Sequence, residues 1–142
     1  MRRSERGQTS LLIVGFAVLV VMLVAVVVDA SSAYLRRQGL DNLADGAALA
    51  AADGVQGEQV YTTGLGERAQ IDPVAAARYV EAYLTGAGAW SSYPGLTYDV
   101  RATVDTVVVQ VAAPLRLPIA PPGWQRQPVI SARAASYVLV SD

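Results

Sequence analysis

The chain has 142 residues, a length typical of one small domain, and its net charge is nearly balanced at -1. It contains no cysteine, histidine or lysine, which excludes disulfides, thiolate and Schiff-base nucleophiles, a Ser-His-Asp triad and the common zinc sites. The balanced charge and the lack of a basic stripe also argue against nucleic acid as a partner.

Residues 11–28 form an unbroken run of uncharged, almost wholly apolar side chains. The run is long enough to span a membrane as a helix, and its insertion is favoured by about 4 to 8 kcal/mol. Three arginines precede it and two follow at a distance: Arg2, Arg3 and Arg6, then Arg36 and Arg37. The positive-inside rule therefore predicts a cytoplasmic segment 1–10 and an extracytoplasmic C-terminal part.

A cleaved signal peptide is the alternative to a permanent anchor. Ser31, Ser32 and Ala33 have the small side chains of a cleavage site. The apolar run, however, exceeds the roughly 7 to 15 residues typical of a signal peptide. We therefore predict that the mature protein keeps a transmembrane helix at 11–28.

Small and apolar residues continue at helical spacing beyond the membrane. We predict one helix from about Gln8 to Ala52, ended by Gly54, with 29–53 as a helical stalk. One face of the stalk forms a candidate packing interface, which we call the stalk stripe: Leu40, Leu43, Ala44, Ala47, Ala48 and Ala51. The stripe packs either on the protein's own strands or on another subunit's helix, and the amphipathic strands favour the first interpretation.

The remaining residues, 54–142, predict an extracytoplasmic α+β domain. A loop at 54–70 precedes a second helix, which starts at Asp72 and Pro73 and runs to about Leu84. Its predicted buried face is Ala76, Val80, Tyr83 and Ala87.

Strict alternation of apolar and polar residues then predicts strands. The first covers Leu96 to Asp105, with Leu96, Tyr98, Val100, Ala102 and Val104 inward. Thr106 to Ala113 is its antiparallel partner, with Val107, Val109 and Val111 inward, and Val129 to Val140 is the last strand. The predicted fold is α+β: a long N-terminal transmembrane and stalk helix, a second helix and a small antiparallel sheet of about three strands.

No residue cluster predicts chemistry. Asp41, Asp45 and Asp53 keep one stalk face solvated. Aromatic residues could line a binding surface, but core packing is the more common role. The aromatic set is Trp90, Tyr93, Tyr98 and Trp124, with loop residues Tyr61 and Trp124 as the expected exceptions to burial. We predict no catalytic residue, cofactor, metal or small-molecule substrate, and no enzymatic activity.

The N-terminal third resembles the TadE/TadG-like group of bacterial tight-adherence (Flp) pilus-assembly proteins. The resemblance rests on Arg6-Gly7-Gln8, the apolar helix, Asp29, residues 33–38 (AYLRRQ) and residues 40–50 (LDNLADGAALA). It implies a single-pass envelope protein with a pilin-like fold, acting with other pilus-assembly or pilin-like subunits in assembly or secretion. It implies no catalysis.

One position departs from peptidase-processed pilins, which carry glutamate five residues after the processing glycine. Leu12 occupies that position after Gly7, so we predict no cleavage there and a permanently anchored accessory protein. The alternative function is a secreted or membrane-tethered binding module that uses the aromatic loops.

Overall fold

The computed structural model describes residues 6–62, 71–119 and 128–138. Within these ranges the helices are α1 (Arg6–Thr62), α2 (Pro73–Gly86) and the short α3 (Ala89–Ser92). The strands are β1 (Thr97–Ala102), β2 (Thr106–Pro114) and β3 (Val129–Tyr137). The predicted α+β fold with a long N-terminal helix and a three-stranded antiparallel sheet is confirmed.

The helix α1 continues without a break from the apolar run into the domain. The prediction that it ends near Ala52, stopped by Gly54, is wrong, because the helix extends to Thr62. The extra turns contact the rest of the domain: Val55 is buried in the core, and the exposed Glu58 carboxylate accepts hydrogen bonds from Arg78 and Tyr79 of α2, each at 3.3 Å. The domain boundary predicted at 53/54 falls inside this helix, and residues 63–70 of the predicted loop lie outside the described ranges.

The helix α2 begins as predicted. The Asp72 side chain accepts a hydrogen bond from the Val74 N–H at 2.9 Å, and Pro73 occupies the first turn. Ala76 and Val80 are buried and Tyr83 is half-buried, as expected. The predicted burial of Ala87 is wrong, because α2 ends at Gly86 and Ala87 caps it in solvent.

The sheet has the order β1-β2-β3, with both neighbouring pairs antiparallel. In β1, Tyr98 pairs with Val111 and Val100 with Val109. The inner face of β2 is fully buried at Val107, Val109 and Val111, as predicted. Burial of Val104 was predicted wrongly: β1 ends at Ala102, and the turn that follows leaves Val104 61% exposed.

Two layers enclose the core. The helix α1 packs beneath β2 and β3, and α2 packs against α1 and beneath β1. In the described part of the chain, buried residues are all apolar, so the core is held by apolar burial and close packing. The third strand is described as far as Tyr137, and residues 139 and 140 of its predicted span lie beyond the described residues.

Candidate interaction surfaces

The apolar run of α1 is exposed along its whole length. Its most apolar window is 0% buried, and side chains such as Leu11 and Phe16 face away from the domain. In the part of the chain that the structure describes, α1 is the helix long and apolar enough to cross a membrane. A helix of the soluble core would bury one face, so this exposure favours a lipid environment.

The structure places the whole stalk stripe inside the domain. Leu40, Ala44, Ala47 and Ala51 have no exposed surface, and Leu43 and Ala48 are nearly as deeply buried. Small side chains let the sheet and α2 approach the helix backbone closely. The outer half of the predicted stalk, from Leu40 onward, is therefore the central helix of the core.

Three glycines on α1 pack against tyrosine side chains of neighbouring segments. A Cβ at any of them would collide with the facing ring or its hydroxyl. The pairs are Gly39 with Tyr93, Gly46 with Tyr83, and Gly54 with Tyr79. A glycine inside a helical pattern ordinarily weakens the helix, and Gly54 was predicted to end it; these contacts give all three glycines a packing role instead.

At Gly39 the contact belongs to a small cluster at the end of the core that lies nearest the apolar run. The Tyr93 ring lies 5.8 Å from the Arg36 guanidinium carbon, a cation–π distance. The cluster joins α1 to the segment that links α3 with β1. These contacts thus fix the position of the start of β1 relative to α1.

Asp29, directly after the apolar run, makes a contact distant in sequence. Its Oδ1 accepts a hydrogen bond from the backbone N–H of Ile119 at 3.0 Å. The segment that follows β2 therefore returns along α1 to the end of the run. Nothing in the sequence around Asp29 predicted this partner.

The outer face of the sheet is open, and charged and polar side chains occupy its centre. Asp99 and Arg101 of β1 form an exposed ion pair at 3.0 Å, beside Gln110 and Arg133 on the next strands. An exposed pair of this kind contributes little stability. The depression between these side chains is shallow. Among the described residues no group of three acidic, histidine or cysteine side chains could hold a metal ion.

The aromatic prediction holds only in part. Tyr93 and Tyr98 are half-buried against the core, but Trp90 is 41% exposed, so its predicted burial is wrong. The four-residue helix α3 holds Trp90 at the domain edge, where its ring packs edge-on against Tyr98 and its Nε1–H donates to Thr85 Oγ1 at 3.3 Å. The side chains of Tyr61 and Trp124, predicted to be exposed, lie outside the part of the chain that the structure describes.

Comparison with known proteins identifies one family. Residues 7–54 match the family model described as "Putative Flp pilus-assembly TadE/G-like", which confirms the resemblance found in the sequence. The match covers about a third of the chain, namely the apolar run and the part of α1 that enters the core. No curated protein and no solved structure matches the chain significantly.

Proposed function

We propose that this chain is a membrane-anchored, non-enzymatic component of a bacterial Flp (tight-adherence) pilus assembly or secretion system. The observation that carries the proposal is the coincidence of the family match, 7–54, with one uninterrupted helix. That helix combines an exposed apolar span with the central helix of an α+β domain. The matched segment is therefore the part of the chain that connects the proposed membrane span to the folded α+β domain.

A structural role fits the surfaces of the described residues. They include an exposed apolar helix and an open sheet face with a shallow depression at its centre. Such surfaces suit contact with other subunits of an assembly, including the accessory or minor pilin-like role that the family suggests. The alternative, a tethered binding module, would use aromatic side chains. The Trp90 ring gives it little support, because that ring is already engaged by Tyr98 and Thr85, whereas Tyr137 is exposed.

The experiment that tests this proposal deletes the gene for this chain in the bacterium that encodes it. We expect deletion to abolish or strongly reduce surface fibres seen by electron microscopy. The full chain should restore them, and a secreted version of residues 31–142 without the apolar run should not. Normal fibre number and length after deletion would overturn the proposal.

The proposed topology places residues 1–10 in the cytoplasm and the α+β domain outside. Because the chain has no cysteine, a single introduced thiol reports one position. In intact cells, a membrane-impermeant maleimide should label Val104→Cys, at an exposed turn of the domain, and should spare Ser4→Cys until the cells are lysed. Labelling of Ser4→Cys in intact cells would contradict this orientation.

Cleavage after Ala33 would cut α1 before its first fully buried core residue, Leu40, and would leave the core portion of the helix complete. Retention of the anchor and the absence of cleavage after Gly7 therefore remain predictions. Intact-mass measurement of the detergent-extracted protein from the same cells decides both.

A further inference from the structure

The segment after β2 reaches the end of the apolar run. The Ile119 N–H donates to Asp29 Oδ1 at 3.0 Å, and Asp29 follows Val28, the last apolar residue of the span. The hydrogen bond therefore places Ile119 beside the level where α1 leaves the hydrocarbon core. The domain core begins farther out along the same helix, at Leu40.

Chain dimensions support this placement. Asp29 precedes Leu40 by about 16 Å along α1. Five residues, 115–119, can span at most about 17 Å. The Leu115 N–H is bonded to the Pro128 carbonyl at 2.7 Å, which fixes the end of the segment nearest the sheet. The segment thus runs from the end of β2, where Leu115 is bonded to Pro128, to Asp29 at the proposed membrane boundary.

The side chains of this segment suit a lipid headgroup layer. Ile119 is 48% exposed although it is a large apolar residue, and Arg116 is exposed. An apolar side chain gains by leaving water at this level, and an arginine can lay its stem along apolar surface while its guanidinium meets lipid phosphates. The Ile119 N–H already has a protein acceptor in Asp29, so its approach to the hydrocarbon boundary leaves no backbone donor there without a partner.

We infer that residues 116–119 form a second membrane contact, in which Ile119 enters the headgroup layer while the Asp29 carboxylate holds the segment in place. The inference rests on the proposed membrane anchoring of α1. Two contacts at one membrane surface fix the rotation of the domain about the axis of α1. A single span would leave that rotation free.

The test uses the full chain in nanodiscs of phosphatidylcholine and phosphatidylglycerol. An environment-sensitive fluorophore is attached to a single cysteine, Ile119→Cys, and quenched by spin-labelled lipids. We expect blue-shifted emission and stronger quenching by a label near the headgroups than by one at the bilayer centre. A probe at Val104→Cys, in the turn at the opposite end of β2, should show neither effect. A probe at Val21→Cys, inside the span, should be quenched most by the deep label.

Two variants of Asp29 separate the hydrogen bond from the charge. Asp29→Ala removes the acceptor and should abolish the quenching at position 119, whereas Asp29→Asn keeps an amide oxygen and should retain it. An unquenched probe at 119 with a quenched probe at 21 would overturn the inference and leave the anchor intact. Loss of quenching at 21 as well would overturn the anchor and the inference together. Unchanged quenching in Asp29→Ala would refute the holding role of Asp29.

Discussion

Replacing Ala47 with arginine is expected to unfold the α+β domain. Ala47 has no exposed surface and belongs to the stalk stripe at the centre of the core. The larger side chain overpacks the site, at a cost of about 1 to 3 kcal/mol, and its unpaired buried charge costs several kcal/mol more. Small domains are stable by only about 5 to 15 kcal/mol, so the two costs together remove most or all of the native state.

Thermal unfolding of the detergent-solubilised full chain measures this effect, with tryptophan fluorescence and near-ultraviolet circular dichroism as readouts. The matched control is Leu49→Arg, two residues away on the same helix, where the native side chain is 56% exposed. The same charge placed there in water should change the free energy of unfolding by less than about 0.5 kcal/mol.

The pair of variants also tests the two interpretations of the stalk stripe. Packing within the chain predicts that Ala47→Arg abolishes the cooperative melting transition. Packing on another subunit predicts an unchanged melting temperature with lost crosslinking to partners. A native melting curve for both Ala47→Arg and Ala48→Arg would contradict the buried positions of the stripe in this structure.

The second large effect is expected at Gly54. A Cβ there would collide with Cγ and both Cδ atoms of the Tyr79 ring. Cγ lies one bond from the Tyr79 Cβ, so the ring cannot swing aside unless α2 shifts. We expect Gly54→Ala to lose about 1 to 2 kcal/mol net, since overpacking outweighs the gain of up to about 1 kcal/mol in helix propensity. The melting temperature should fall by roughly 5 to 15 °C.

Gly57 provides the control for this substitution, because a Cβ at Gly57 meets no heavy atom within 4 Å. Gly57→Ala should therefore raise the melting temperature by a few degrees through helix propensity alone. Gly39→Ala should cost less than Gly54→Ala, because its nearest obstacle is the movable hydroxyl end of Tyr93. If Gly54→Ala and Gly57→Ala stabilised the protein equally, the ring contact at Gly54 would be disproved.

Periodicity in the sequence predicted the elements that bury one clear face. The alternating valines of β2 set the sheet register, because a one-residue slip would turn every one of them to solvent. Asp72 and Pro73 marked the start of α2 for reasons that are entirely local. The leucines and alanines of the stalk stripe gave the buried side of α1 by their spacing.

The errors arose where contacts distant in sequence decide the structure. Glycine has a low helix propensity, and at Gly54 that local rule predicted a helix end. The Tyr79 ring beside Gly54 and the Arg78 guanidinium, which pairs with Glu58 at 3.3 Å, belong to α2, so no local pattern in α1 reveals them. The bond between Asp29 and Ile119 joins residues far apart in the chain, so no pattern near either residue could predict it.

The helix α1 contains no proline from Arg6 to Thr62, and proline is a frequent cause of sharp kinks in long helices. In the proposed membrane-anchored protein, α1 would therefore pivot as one rod about the membrane boundary at Asp29. Tilting the span by about 20°, a common angle for such helices, would swing the outer end of α1 sideways by roughly 17 Å. Because a thin bilayer increases helix tilt, local lipid thickness would set where the domain meets a neighbouring subunit.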